Sequence, residues 1–87
     1  MIRAAVVGLG WWGKQIISYL KTSQYIQITH AVDLQIEQLH EFTQEHHLVA
    51  CRDLDEVLAI PAVDAIILVT PHRLHEEQAL QIVAYLQ

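Results

Sequence analysis

Residues Gly8-Leu9-Gly10-Trp11-Trp12-Gly13 stand between an apolar run, Ile2 to Val7, and a segment whose apolar residues Ile16, Ile17 and Leu20 fall on one helical face. Three glycines at that spacing, placed where a strand turns into a helix, leave few folds open. Gly8 permits a tight turn out of the strand, Gly10 lets another group approach bare backbone, and Gly13 lets the helix pack close to the strand. A strand feeding a helix in this way returns the chain to the same sheet, so the next strand is expected to run parallel to the first.

The rest of the chain continues the alternation. Tyr25 to Val32 is strand-like and ends at Asp33, and Gln35 to His47 has helical spacing, with Ile36, Leu39 and Phe42 inward. Glu37, Glu41 and Glu45 share another face at four-residue intervals, which is tolerable only in water. Leu48 to Cys51 reads as a third, short strand. Asp53-Leu54-Asp55-Glu56 resembles a capping box, opening a helix that Pro61 cannot continue. Ala65 to Val69 is a continuous β-branched run, expected to be buried on both faces, and Arg73 to Leu86 closes the chain as a helix with Ala79, Ile82, Val83 and Leu86 inward. The order β-α-β-α-β-α-β-α predicts one α/β domain over residues 1–87. Its architecture is a Rossmann-like doubly wound parallel sheet of four strands in the order 3-2-1-4, with helices on both faces.

Composition removes other functions. A net charge of −5 with five scattered basic residues (Arg3, Lys14, Lys21, Arg52 and Arg73) does not suit nucleic acid. No apolar run approaches the ~20 residues needed to cross a bilayer. The apolar stretch from Ala4 to Gly13 carries three glycines and two tryptophans and lacks a small-residue cleavage site, so it does not read as a signal peptide. The single cysteine, Cys51, forms no internal disulfide, in keeping with a cytoplasmic setting. His72 and His75 are three apart but lack a third ligand, and His40-Glu41 lacks the second histidine of H-E-x-x-H; no metal site is expected.

Asp33 stands twenty residues beyond Gly13, where the second strand ends. With the glycine loop it completes a dinucleotide fingerprint. The free amides at the start of the first helix, near Trp11 and Trp12, would face a pyrophosphate with the helix dipole behind them. Asp33 would accept hydrogen bonds from the adenosine ribose and repel a 2′-phosphate. No arginine lies between Leu34 and Glu45, so NAD is favoured over NADP. Gly8 to Lys14 also fits the phosphate loop of NTPases, but Gln15 stands where a magnesium-binding Ser or Thr belongs. Trp12 is expected to be partly exposed toward the cleft.

The chain resembles the N-terminal domain of the Gfo/Idh/MocA oxidoreductases. The resemblance rests on Val6 to Lys14, on Ala31-Val32-Asp33, and on Val63 to Pro71 followed by His75. It implies an NAD(P)-binding domain of an enzyme that moves a hydride on a sugar or polyol. It further implies that Thr70, Pro71 and His75, with His72 and Leu74 nearby, lie toward the nicotinamide. With the fingerprint this makes Gly8, Leu9, Gly10, Trp11, Trp12, Gly13, Asp33, Thr70, Pro71 and His75 the expected cofactor-binding residues. Family members continue into a fifth strand, a Glu-Lys-Pro motif and a substrate domain, none of which is found here. No catalytic residue is therefore expected, and the chain is expected to be inactive alone and cut from a longer oxidoreductase. A non-enzymatic NAD-sensing module is the alternative. An uncovered edge on the fourth strand, Ala65 to Val69, would pair with a second copy to give a homo-oligomer.

Overall fold

The computed structural model describes residues 1–86, apart from the side chains of His72, Arg73, Tyr85 and Leu86. Strands β1 (Ile2–Val7), β2 (Ile26–Val32), β3 (Val49–Cys51) and β4 (Ala65–Leu68) form one parallel sheet in the order β3-β2-β1-β4. Helices α1 (Trp11–Leu20), α2 (His40–Glu45) and α3 (Leu54–Leu58) lie on the crossovers, and α4 (His72–Leu86) follows β4. The predicted class and strand order are the observed ones.

The hydrophobic pattern explains why β1 is central. Ala4, Ala5, Val6 and Val7 are all buried, so both faces of this strand are covered. Ala5 and Val7 join Val32, Cys51, Leu54 and Val57 on the face packed by α3 and α4, where Ile66, Leu68 and Ile82 complete the layer. Val6 points the other way, into a cluster with Leu9, Ile17, Ala31 and Ile36 against which Phe42 and Ile67 pack. A fully buried valine contributes about 1.5–3 kcal/mol, so Val6, Val7 and Val32 anchor the sheet beside the glycine loop.

Register is fixed at both ends of β1. Near its start, the Arg3 amide donates to Asp64 Oδ2 at 2.9 Å and the Asp64 amide donates to the Arg3 carbonyl at 2.7 Å, which aligns the entry of β4. Midway, Ala4 opposes Ile28 but Ala5 opposes His30, so Thr29 is an extra residue on β2. Beyond that irregularity β1 and β2 end level, with Val7 opposite Val32.

Three expectations need correction. Gln35 to His47 is not one helix but a 3-10 turn, Ile36–Leu39, followed by α2. The break lies at Leu39, whose φ of −109° and ψ of 16° leave the helical region. The preceding turn is set by Asp33, whose carbonyl accepts from the Ile36 amide at 3.1 Å and whose Oδ1 accepts from the Gln35 amide at 2.9 Å. The inward side chains are kept, with Ile36 buried and Leu39 and Phe42 packed on the core. β4 is half-buried rather than buried on both faces, because it is an edge strand paired only with β1 among the described residues. On α4, Ala79 and Ile82 are half-buried as expected, but Val83 is 52% exposed: the helix rests on an edge strand and the short α3, and only a narrow stripe is covered. The expectation for Leu86 falls outside the described side chains. Among the described residues no helix is long and apolar enough to cross a membrane.

Candidate functional site

In an open α/β sheet the crevice for a ligand lies beyond the carboxyl ends of the strands, where strand order reverses. Here that point lies between β1 and β4. The loop after β1 is tied to both neighbours: the Gly8 amide donates to the Val32 carbonyl at 2.8 Å, and the Val69 amide donates to the Val7 carbonyl at 2.8 Å.

The three glycines differ in what they permit. Gly8 has φ +100°, a backbone that L side chains rarely adopt, and an added Cβ would lie 2.8 Å from the Val69 carbonyl oxygen. A Cβ on Gly13 would lie 2.0 Å from the Gly8 carbonyl oxygen, so this glycine lets α1 seat against the loop. A Cβ on Gly10 would meet nothing within 4 Å; its missing side chain leaves space rather than relieving a clash.

Helix α1 begins at Trp11, with Gly10 in extended conformation as its N-cap. The helical hydrogen-bond ladder opens with the Lys14 amide donating to the Gly10 carbonyl at 3.1 Å. The amides of Trp11, Trp12 and Gly13 precede it, without a helical acceptor, at the positive end of the dipole. Gly10 is not a side-chain cap and no acidic residue sits in the first turn. The donor end of the helix is therefore open, a geometry that suits an anion.

A cleft of about 830 Å³ opens over these amides. Gly8, Gly10, Trp11 and Trp12 line it from the first loop, Asp33, Leu34 and Gln35 from the end of β2, and Thr70, Pro71 and Leu74 from the loop after β4. Both tryptophans are 66% exposed, and their rings meet edge to face with centroids 4.8 Å apart. They border the space without closing it. Asp33 faces the glycine loop, its Oδ2 accepting from the Leu9 amide at 2.9 Å. Each carboxylate oxygen keeps a lone pair, since each accepts one amide hydrogen here.

Of the ten residues singled out from the sequence, seven line this cleft: Gly8, Gly10, Trp11, Trp12, Asp33, Thr70 and Pro71. Leu9 and Gly13 are buried beneath it, where Leu9 packs in the core and Gly13 carries the close approach of helix and loop. His75 is exposed on α4 and is not among the lining residues; its amide donates to the Pro71 carbonyl at 2.8 Å. Lys14, the lysine of the phosphate-loop pattern, does not line the cleft: its Nζ lies 5.6 Å from the centre of the Phe42 ring.

Sequence reading missed the far wall. Arg52, Asp53, Leu54 and Asp55, at the end of β3 and the start of α3, line the same cleft, as do Glu77, Gln78 and Gln81 of α4. The α4 side chains tie the walls together: Thr70 Oγ1 donates to Gln78 Oε1 at 2.7 Å, and Gln81 Nε2 donates to Asp55 Oδ1 at 2.6 Å. The predicted capping box is present, with Glu56 Oε2 accepting from the Asp53 amide at 3.4 Å and the Arg52 amide at 2.8 Å. Glu37, expected only to be solvated, forms an ion pair with Arg52. The signal for this wall lies in topology: the residue after β3 must emerge beside the residue after β2.

The open helix start, the bare loop and the acid beside them suit a diphosphate joined to a ribose, and the comparisons with known proteins agree. The model of the Gfo/Idh/MocA oxidoreductase family, NAD-binding Rossmann fold, matches residues 2–85. The scyllo-inositol 2-dehydrogenase (NADP(+)) IolU of Bacillus subtilis is 31% identical over 81 residues, 92% of this chain and 25% of that protein. The crystal structure of GenD2 from gentamicin A biosynthesis, in complex with NAD, superposes with a TM-score of 0.87 at 26% identity, over 97% of this chain and 24% of that one. That of scyllo-inositol dehydrogenase from Lactobacillus casei, with NAD(H) and scyllo-inositol, gives a TM-score of 0.76 at 25% identity, over 94% and 26%. The chain thus spans about a quarter of the length of the relatives it matches. It belongs to the Gfo/Idh/MocA oxidoreductase family, of which it is an NAD(P)-binding Rossmann domain.

Proposed function

We propose that the chain holds NAD, in preference to NADP, as the cofactor-binding part of a cytoplasmic oxidoreductase acting on a sugar or polyol. The observation that carries the preference is the carboxylate of Asp33, which is fixed by the Leu9 and Gln35 amides at the rim of the cleft and has lone pairs left for the two hydroxyls of the adenosine ribose. A 2′-phosphate at the same place would meet this negative charge at short range.

The helix α1 amides of Trp11 and Trp12 would hold the pyrophosphate, with Gly10 leaving room for its approach. Thr70 and Pro71, on the loop that meets α4, would border the nicotinamide end. When bound, the cofactor supplies the hydride acceptor; this chain orients it and shields one side. The substrate class is supported by the inositol dehydrogenases among the relatives.

Titration of the chain with NAD and NADP, followed by tryptophan fluorescence and calorimetry, tests the reading. Trp11 and Trp12 line the cleft, so a bound nucleotide should alter their emission. NAD is expected to bind weakly but measurably and NADP more weakly still. No binding of either nucleotide at millimolar concentration would overturn the proposal.

A further inference from the structure

Asp33 and Arg52 immediately follow β2 and β3, which are parallel neighbours with Val32 opposite Cys51. The Asp33 amide donates to the Cys51 carbonyl at 3.1 Å, so the two residues leave the sheet level with each other. Adjacent strands are about 4.8 Å apart, which puts both positions at one corner of the cleft they line.

The charges of that cleft are uneven. Asp33, Asp53, Asp55 and Glu77 line it, against Arg52 as the one basic residue among the described lining. Asp53 is engaged in the capping box of α3, and Asp55 accepts from Gln81. The guanidinium of Arg52 is paired with Glu37, which comes from the 3-10 turn just beyond Asp33. The pair is open to water, with side chains 55% and 60% exposed, and exposed pairs of this kind exchange partners readily. A guanidinium offers a planar fork of donors that matches a phosphate better than it matches a single carboxylate oxygen.

We propose that Arg52, held by Glu37, is the residue that would meet a 2′-phosphate on the adenosine ribose, so that the Arg52–Glu37 pair sets how strongly the cleft rejects NADP. This rests on the nucleotide-binding reading above and deepens it. Asp33 opposes the phosphate, Arg52 attracts it, and Glu37 competes with the phosphate for Arg52. Cofactor choice is then the balance of three side chains from two neighbouring strand ends, and a single substitution at Glu37 shifts it without touching the ribose acid.

The test compares adenosine 2′,5′-bisphosphate with adenosine 5′-monophosphate, which differ only in the 2′-phosphate, on the 87-residue chain by calorimetry. Glu37→Gln should tighten the bisphosphate by about threefold, the scale of an exposed ion pair, and leave the monophosphate unchanged. Arg52→Ala should weaken the bisphosphate by about tenfold, the scale of a charge-assisted hydrogen bond, again sparing the monophosphate. Arg52→Lys keeps the charge and loses the fork, and should fall between. In the double variant the gain from Glu37→Gln should vanish. A gain that persists without Arg52 would mean simple relief of charge repulsion and would overturn the proposal, as would single variants that move both probes equally or neither. If the unaltered chain binds neither probe nor NAD, the nucleotide reading itself falls. If it binds the monophosphate while the ratio ignores both residues, only the role of Arg52 falls.

Discussion

The backbone amide of Leu9 donates to Asp33 Oδ2 at 2.9 Å, across 24 residues of sequence. One acid thereby serves two purposes: it holds the glycine loop in shape, and it presents a carboxylate at the rim of the cleft. Fold and the proposed ligand preference thus rest on one side chain.

That sharing gives the first prediction. Leu9 is only 3% exposed, so Asp33→Ala leaves its amide without a partner and should destabilise the chain by about 1–3 kcal/mol. The same change should lower NAD affinity and narrow the gap between NAD and NADP. Asp33→Asn retains an acceptor for Leu9 and should recover part of the stability, but not the discrimination. Urea denaturation and calorimetry of the two variants separate the roles; unchanged nucleotide affinity in both removes Asp33 from the site.

The glycines should respond in a graded way. Gly13→Ala drives a methyl to 2.0 Å from the Gly8 carbonyl oxygen, and Gly8→Ala adds a side chain at φ +100° against the backbone of Val69. Overpacking at such places costs about 1–3 kcal/mol or more, a large fraction of the stability of a small domain. Gly10→Ala meets nothing and should fold normally while weakening nucleotide binding, because its methyl takes up the space through which a phosphate approaches. Melting temperatures set beside affinities would show this split. A Gly10→Ala variant that binds as the unaltered chain does would mean the loop backbone is not approached.

The architecture was readable because three of the four strands end on a marker. Gly8 after β1, Asp33 after β2 and Thr70-Pro71 after β4 are visible in the chain, and all four line the cleft. What stayed hidden depends on neighbours across the sheet. A search for a basic residue confined to the stretch after β2 passes over Arg52, which is 19 positions beyond Asp33 in the sequence yet level with it in the sheet. The break at Leu39 was hidden for a related reason. Ile36, Leu39 and Phe42 have helical spacing, but Asp33 draws the first turn into an i to i+3 pattern through the Gln35 and Ile36 amides. Val83 looked inward because periodicity shows which residues share a stripe, not how wide a partner covers it.

β4 is hydrogen-bonded to β1 on one side, and among the described residues no strand takes the other. Unpaired amides and carbonyls on an apolar edge recruit a further strand. The 87-residue chain is therefore expected to self-associate through Ala65 to Leu68, with the sheet continuing into a second copy. Sedimentation velocity across a hundredfold range of concentration should show mass rising with concentration. A constant monomer over that range would count against pairing at this edge.

The last prediction concerns pH. His30 lies in the middle of β2 between Ala5 of β1 and Val49 of β3, and burial there lowers its pKa below the ordinary 6.5. The folded chain thus takes up a proton on His30 less readily than the unfolded chain does. Between 6.5 and the lower folded value the unfolded state binds more protons, so stability falls as pH falls through that window and is flat above it. The loss comes from charging a ring whose Nδ1 already sits 2.7 Å from Thr29 Oγ1 in a partly dry position. His30→Gln keeps a polar side chain without a titrating group, and should flatten this part of the profile while leaving stability near pH 8 little changed. Urea midpoints taken from pH 5 to pH 8 on both proteins give the comparison. An unaltered slope in the variant would assign the acid sensitivity to groups other than His30.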